Sequence, residues 1–222
     1  MLKNLLFCLL ALLPSRIKRA IYNQCLGCSI HPTAFIGLSF VRCGTIVMGP
    51  DATIKHFNII RGLARLEMGE KAKIGNWNTL TALPLDSKKH FQEEKSRYPA
   101  LIMGPSSAIV KGHFFDCNHT ITLGHHTIVA GQGTSFFTHG IDLARNRQAS
   151  APIRIGDYGM IGACCVVLKG SALPDCSVLG ANSTLHKAFS EPYTLYSGVP
   201  AGPVAAFDPH SAYFHRDIGF VP

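Results

Sequence analysis

Charge is scarce in this sequence, and acid is scarcer than base. Only 15% of the 222 residues are charged, with 13 Asp and Glu against 21 Lys and Arg. Hydrophobic residues make up 47%, so the chain has ample apolar surface to bury and is not disordered. Aromatic residues amount to 9%, with a single tryptophan. The core must therefore be aliphatic. No block of five or more Lys and Arg occurs, and no basic-aromatic interleaving. Of the anionic partners that a net charge of +8 favours, nucleic acid is the weakest, behind anionic lipid and a phosphorylated cofactor. The eight cysteines give no metal framework. Cys25-Leu-Gly-Cys28 is a lone C-x-x-C and Cys164 and Cys165 are adjacent, whereas a zinc site needs four ligands at matched spacing. Reduced cysteines in a cytosolic protein are the better reading.

A long apolar run is missing as well. Leu5 to Leu13 is nearly all apolar, but Pro14 ends it, far short of the ~20 residues that span a bilayer. With one early lysine, Lys3, and no small-x-small cleavage site, the stretch is a poor signal peptide. Arg16, Lys18 and Arg19 follow, and residues 1–22 contain no acid. Two readings stand: a helix resting on an anionic inner membrane face, or a helix packed on its own domain or on a partner subunit. The expected location is the cytoplasm, at the inner membrane face under the first reading.

What the chain does have is glycine, 21 residues, and an internal repeat. Five segments align: Ile46–Ile54, Leu66–Ile74, Leu101–Ile109, Ile121–Val129 and Ile153–Ile161. Two of the four intervals are 20 residues; the others are 35 and 32, which read as 20 plus inserts near 86–100 and 136–152. Within each unit large apolar residues recur every six positions, most regularly at Ile155, Ile161, Val167, Leu173, Leu179 and Leu185. Four positions after most of them stands a small residue, such as Ala52, Ala72, Ser107, Thr127, Cys165, Ser171 or Ser177. A period of six fits neither an α-helix nor a plain amphipathic strand. It fits short strands joined by tight bends, one large residue per strand pointing inward and glycine permitting the bends. Three such strands close a triangular coil, and stacked coils bury a continuous aliphatic column.

With these motifs the chain resembles the hexapeptide-repeat acyltransferases, over about residues 30–190. The resemblance is densest in the C-terminal half: Thr138-His139, Pro152-Ile-Arg-Ile-Gly-Asp157, Ile161-Gly-Ala163, Ala181-Asn-Ser183, Lys187 and Gly198-Val-Pro-Ala201 stand in the order of the branch that acetylates galactosides, maltose, xenobiotics and surface polysaccharides. The chain departs from that pattern at Met160, where tryptophan is usual, and at Gly202, where a basic residue is usual. The resemblance implies an all-β fold, a left-handed parallel β-helix with an N-terminal helix (1–29), two loop inserts and a C-terminal tail (191–222). It implies an acetyl-CoA-dependent O-acetyltransferase acting on a sugar or glycan hydroxyl, a homotrimer with the active site between subunits, and no metal.

Acyl transfer to a hydroxyl needs a base, a donor for the oxyanion and a means of holding both substrates together. Histidine suits the base because its pKa lies near neutral. His139, in the second insert, is the candidate, with Asp142 three residues on to orient its imidazole. Asp116 and Asn118, one coil earlier, are candidates for contacting the acceptor. By resemblance, Gly162, Ala163, Ala181, Asn182 and Ser183 line the slot for the pantetheine arm, and Lys187, with Lys169 as a further choice, meets the CoA phosphates. The oxyanion donor is expected to be a backbone N–H. Three rival readings are an acyl transfer to an amino sugar, an inactive scaffold, and a metal lyase like the γ-class carbonic anhydrases. The last would draw on His119, His125 and His126, yet His125 and His126 would point to opposite faces of one strand. Asn118-His-Thr120 matches a glycosylation sequon by chance.

Overall fold

The computed structural model describes residues 2–87 and 89–221, with side chains from residue 5 onward; Lys3 lies outside the described side chains. Three sheets of seven, nine and seven strands form the faces of a triangular prism. The first face runs from Ser29–Ile30 to Ala172–Leu173, the second begins at Phe35–Ile36, and the third runs from Phe40–Arg42 to Thr184–Leu185. Strands within a face belong to successive coils and pair parallel. The six-residue positions stack in register: Ile30, Met48, Met68, Met103, Leu123, Ile155 and Leu173 on the first face. All seven are buried, as are their counterparts on the other two faces. The core is the aliphatic column that the repeat predicts, and the architecture is a left-handed parallel β-helix.

The small-residue positions are corners. Ala52, Ala72, Ser107, Thr127, Cys165 and Ser177 are all buried there. Corner residues also adopt left-handed backbone, among them Lys71, His126 and Tyr158 at one corner and Phe57, Trp77, Cys164 and Asn182 at the next. Each such conformation costs roughly 1–2 kcal/mol in a non-glycine residue. The amide so turned donates to a carbonyl of the preceding coil, as Tyr158 N–H does to the His125 oxygen at 2.7 Å and Asn182 N–H to the Ala163 oxygen at 2.9 Å. This corrects the placement of His125 and His126: they occupy a corner turn, not a strand, and the His126 ring stacks on Tyr158 with centroids 4.9 Å apart.

A buried polar ladder runs beside the third face. The Asn58 amide N–H donates to Ser39 Oγ (3.0 Å), Asn78 N–H to Asn58 Oδ1 (2.8 Å), His113 N–H to Asn78 Oδ1 (3.0 Å), Thr134 N–H to His113 Nδ1 (3.2 Å) and Cys165 N–H to Thr134 Oγ1 (3.1 Å). The N–H groups that the corner takes out of the sheet ladder are thereby satisfied by side chains, one per coil.

The N-terminal segment is two helices, α1 (Leu2–Leu12) and α2 (Ser15–Cys25), broken at Pro14. They close the open end of the prism. Phe7, Leu10 and Leu13 pack on the core. The polar groups of α2 satisfy the first coil's unpaired edge: Ser15 Oγ accepts the Ile36 N–H (3.0 Å), the buried Lys18 ammonium donates to the Ile36 and Gly37 carbonyls, Arg19 donates to the Ala34 carbonyl (2.7 Å) and Asn23 bonds both the N–H and the carbonyl of Ile30 (2.9 Å each). Two of the three basic residues read as membrane-facing therefore turn inward. At the other end Thr194–Gly198 adds a parallel strand to the second face and Ala201–Ala206 pairs back on it antiparallel. The tail then runs along a corner, where Arg216 donates to the His126 carbonyl and lies over the Tyr158 and Tyr213 rings.

Candidate active site

Two excursions leave the prism at the corner between the third and first faces. The first is the connection 82–99, between strands Thr79–Thr81 and Ala100–Met103; the second is an antiparallel hairpin, His139–Asp142 with Arg147–Ser150. They begin two coils apart, with the strand Phe114–Asp116 between them, since Asp116 stands in register with both Thr81 and Phe137. The two excursions pack on each other. Glu93 pairs with Arg147, and Glu94 Oε2 accepts from Ser150 Oγ at 3.1 Å.

His139 opens the hairpin, one-third exposed, and its Nδ1 meets Asp116 Oδ2; the Asp116 side chain is only 5% exposed. The second Asp116 oxygen accepts from the Asn118 amide. Asn118 Oδ1 accepts the Leu83 N–H at 2.9 Å, which fixes which end of the amide faces the carboxylate. With Asp116 accepting, Nδ1 carries the hydrogen and Nε2 presents a lone pair. The Thr138 hydroxyl donates to the Asp116 carbonyl (2.7 Å) and accepts from His119 N–H (2.9 Å), pinning the strand that leads into His139. The Phe91 ring meets the imidazole edge-on, with centroids 5.9 Å apart. Arg97, buried, donates to the Leu83 and Pro84 carbonyls and lies 4.7 Å from the centre of the Phe91 ring. Burial pushes the Arg97 guanidinium below its ordinary pKa, and burial likewise lowers His119, whose Nδ1 accepts the Thr120 N–H.

Asp142 does not hold the imidazole. The hairpin is extended, so a residue three positions on points to the opposite face from His139. The Asp142 carboxylate instead accepts from the Arg145 N–H at 3.2 Å and stands 3.7 Å from the Arg145 guanidinium. Asp116, read as an acceptor contact, takes the orienting position, and Asn118 stands behind it. Asn118 is buried in this network, so the sequon has no reachable amide. Phe91, Glu94 and Arg97 were missed; nothing in an insert of irregular sequence marks them. Asp116 had a signal, since coil arithmetic puts it beside Phe137, two residues from His139.

The expected residues Gly162, Ala163, Ala181, Asn182 and Ser183 lie at another corner, between the second and third faces. Gly162 stacks beneath Ala181, and a Cβ at Gly131 would press on the Ala163 methyl. Gly131, Gly162, Ala163 and Ala181 thus make an edge without large side chains, on which an extended ligand can lie close to the backbone. Asn182 is exposed beside it. Ser183 is turned inward, where its Oγ accepts the Gly198 N–H at 3.0 Å and stands 3.2 Å from Ser197 Oγ, so its hydroxyl is unavailable to a ligand. The two lysines do not join this edge: Lys187 stands between the third and first faces, its carbonyl accepting from Ala172 N–H, and lies over the Phe189 ring, 5.3 Å from its centre. Lys169 packs at the base of the hairpin, its Cε 3.4 Å from where a Gly140 Cβ would stand. Within one chain, the width of the third face separates this edge from His139. Among the described residues, no three His, Cys, Asp or Glu side chains are grouped to hold a metal ion.

No protein-family model matches the chain, and no curated protein matches it. Solved structures do match. The chain is similar to a hexapeptide-repeat-containing acetyltransferase from Vibrio cholerae, at 23% identity over 64% of this chain and 74% of that one, with a TM-score of 0.50. It is similar to the polysialic acid O-acetyltransferase OatWY at 16% identity over 83% and 89%, TM-score 0.56. It is also similar to a mutant of AntD, an N-acyltransferase from Bacillus cereus, complexed with dTDP-4-amino-4,6-dideoxyglucose and coenzyme A, at 14% identity over 84% and 88%, TM-score 0.53. At these identities the likeness establishes the fold, the β-helix of the hexapeptide-repeat acyltransferases.

Proposed function

We propose that the protein is an acetyl-CoA-dependent O-acetyltransferase acting on a sugar hydroxyl, with His139 as general base. The observation that carries this reading is the His139–Asp116–Asn118 array on an excursion of this fold. A one-third-exposed imidazole, its Nδ1 held by a buried carboxylate that is itself fixed by an amide, is built to take a proton at Nε2. The acceptor hydroxyl gives its proton to Nε2 as its oxygen bonds the acyl carbon. The carbon–sulfur bond then breaks, and the imidazolium returns the proton to the leaving thiolate. Asp116 stabilises the imidazolium between these steps, which is worth about 10²–10⁴ in rate for a well-placed base.

The small-residue edge at Gly131, Gly162, Ala163 and Ala181 suits the pantetheine arm, with Asn182 beside it, whereas Lys187 and Lys169 stand at the corner of the His139 hairpin. AntD, complexed with coenzyme A and a sugar nucleotide, and OatWY, a polysialic acid O-acetyltransferase, share the fold and support a sugar acceptor. The edge and the base lie at different corners, so we further propose a homotrimer in which the edge of one subunit meets the His139 corner of the next. Surface polysaccharide or glycolipid assembly at the cytoplasmic side of the membrane is the proposed setting. The outward leucines of α1, among them Leu5 at 58% exposure, are available to a membrane surface; among the described residues no helix is long and apolar enough to cross one.

Calorimetry with acetyl-CoA tests the donor, and mass spectrometry of a sugar panel tests transfer. The expected outcome is saturable binding by wild-type and His139→Ala alike, with transfer by the wild type alone. Absence of acetyl-CoA binding would overturn the reading.

A further inference from the structure

The hairpin face that carries His139 continues past it. In a two-stranded ribbon alternate residues share a face, and so do residues directly opposite each other. His139 pairs with Ser150 and Ile141 with Gln148, so these four side chains look the same way, toward the 82–99 connection. There Phe91 meets His139 and Glu94 meets Ser150. Beyond those contacts the two excursions part, and a cleft of about 340 Å³ opens. Phe91 lines it from one side, Ile141 and Gln148 from the other, and the Glu93–Arg147 pair stands at its wall.

We infer that this cleft is a subsite for the sugar unit adjoining the one that is acetylated, so that the true acceptor is a glycan of at least two units. The inference rests on the acyltransferase reading above. Three observations carry it. The first is position: at about 3.4 Å per residue, Ile141 lies roughly 7 Å along the strand from His139, so a ligand unit in the cleft is next to one at the base. The second is chemistry. Phe91 and Ile141 offer an apolar wall for the C–H face of a pyranose, and the paired Glu93 and Arg147 with the Asn146 and Gln148 amides offer donors and acceptors for its hydroxyls. The third is an unmet bond: among the described residues nothing donates to the buried Gln148 Oε1, which a sugar hydroxyl at this wall would do after a small side-chain shift. The cleft size is at the lower end of that of ordinary small-molecule sites, about 300–1,000 Å³, which suits one unit and not a long chain. Phe91 belongs to both the cleft wall and the surroundings of His139, so occupancy of the subsite is coupled to the base.

The test compares hexoses and their methyl glycosides with disaccharides that carry the same reacting unit, in the wild type, Ile141→Asp and Gln148→Ala, with acetyl-CoA binding measured alongside. Ile141 is exposed, so its replacement does not threaten the fold. The wild type is expected to prefer the disaccharide by at least about tenfold in kcat/KM, the effect of one or two hydrogen bonds and a stacked face. Both variants are expected to lose most of that preference while their rates on the monosaccharide stay within about twofold. Equal kcat/KM for mono- and disaccharide in the wild type, or a preference untouched by both variants, would overturn the subsite and leave the transferase reading intact. Acetyl-CoA binding without transfer to any sugar would overturn the sugar acceptor and the subsite together.

Discussion

At the scale of single residues, the decisive contact is Asp116 to His139. Asparagine at 116 would keep the shape and lose the charge, and its NH₂ would donate where Nδ1–H must be accepted. The imidazole would then turn or change tautomer and lose the free lone pair at Nε2. Asp116→Asn is therefore expected to lower kcat by about 10²–10⁴, while the Kd for acetyl-CoA stays unchanged in calorimetry. Asp142→Asn should leave kcat within about twofold, because its partner is Arg145 on the far face of the hairpin. A second residue-scale prediction concerns stability. His113 is buried, and desolvation lowers its pKa from 6.5 to about 4. The unfolded chain binds the proton first as pH falls, so stability is complete above about 6.5 and is lost progressively down to about 4. The full loss is of the order of 3 kcal/mol. His113→Asn would keep an acceptor for the Thr134 N–H, as Asn58 and Asn78 do for the coils below. Urea denaturation between pH 4 and 7 should show this part of the slope in the wild type and not in the variant.

At the scale of elements, the repeat was legible because it is one-dimensional. Ile54, Ile74, Ile109 and Val129 recur at the same point of each coil, and the observed register joins those residues. The intervals of 35 and 32 were readable as insertions, and both excursions leave at one corner. How they fold was not readable. In a loop, a neighbour three residues from His139 can turn back to hold its imidazole. In the extended hairpin only even offsets share a face. The same limit affected α2. Arg16, Lys18 and Arg19, three basic residues within four positions, read as a basic surface, and only packing reveals that Lys18 and Arg19 cap the carbonyls of the first coil. Lys18→Met keeps the apolar stem and removes the cap, leaving the Ile36 and Gly37 carbonyls without that donor. The expected loss is about 1–3 kcal/mol in urea midpoint analysis, with little change in kcat at temperatures where the variant is folded. Were Lys18 a membrane residue instead, the change would weaken vesicle binding and spare stability.

At the scale of the whole molecule, the prism separates the two halves of the proposed site. The base stands where the third face meets the first, and the small-residue edge stands where the second meets the third. A single chain offers each half to a neighbour, and three-fold closure uses both without leaving one over. A mixing experiment follows. His139→Ala lacks the base but keeps the edge. Ala163→Trp keeps the base and fills the edge, where the Ala163 side chain stands against Gly131. Each is expected to be inactive alone. If equal amounts of the two are co-expressed or refolded together and assemble at random, a site at a subunit junction is intact whenever a His139-bearing subunit meets an unblocked edge, about one junction in four. Roughly a quarter of wild-type activity should therefore return, with a light-scattering mass of three subunits. A site built within one chain would give no such rescue, because every chain in the mixture carries one lesion. Activity that stays absent in a mixture of confirmed trimers would place both halves in the same subunit and require the third face to be bridged by the acyl donor itself.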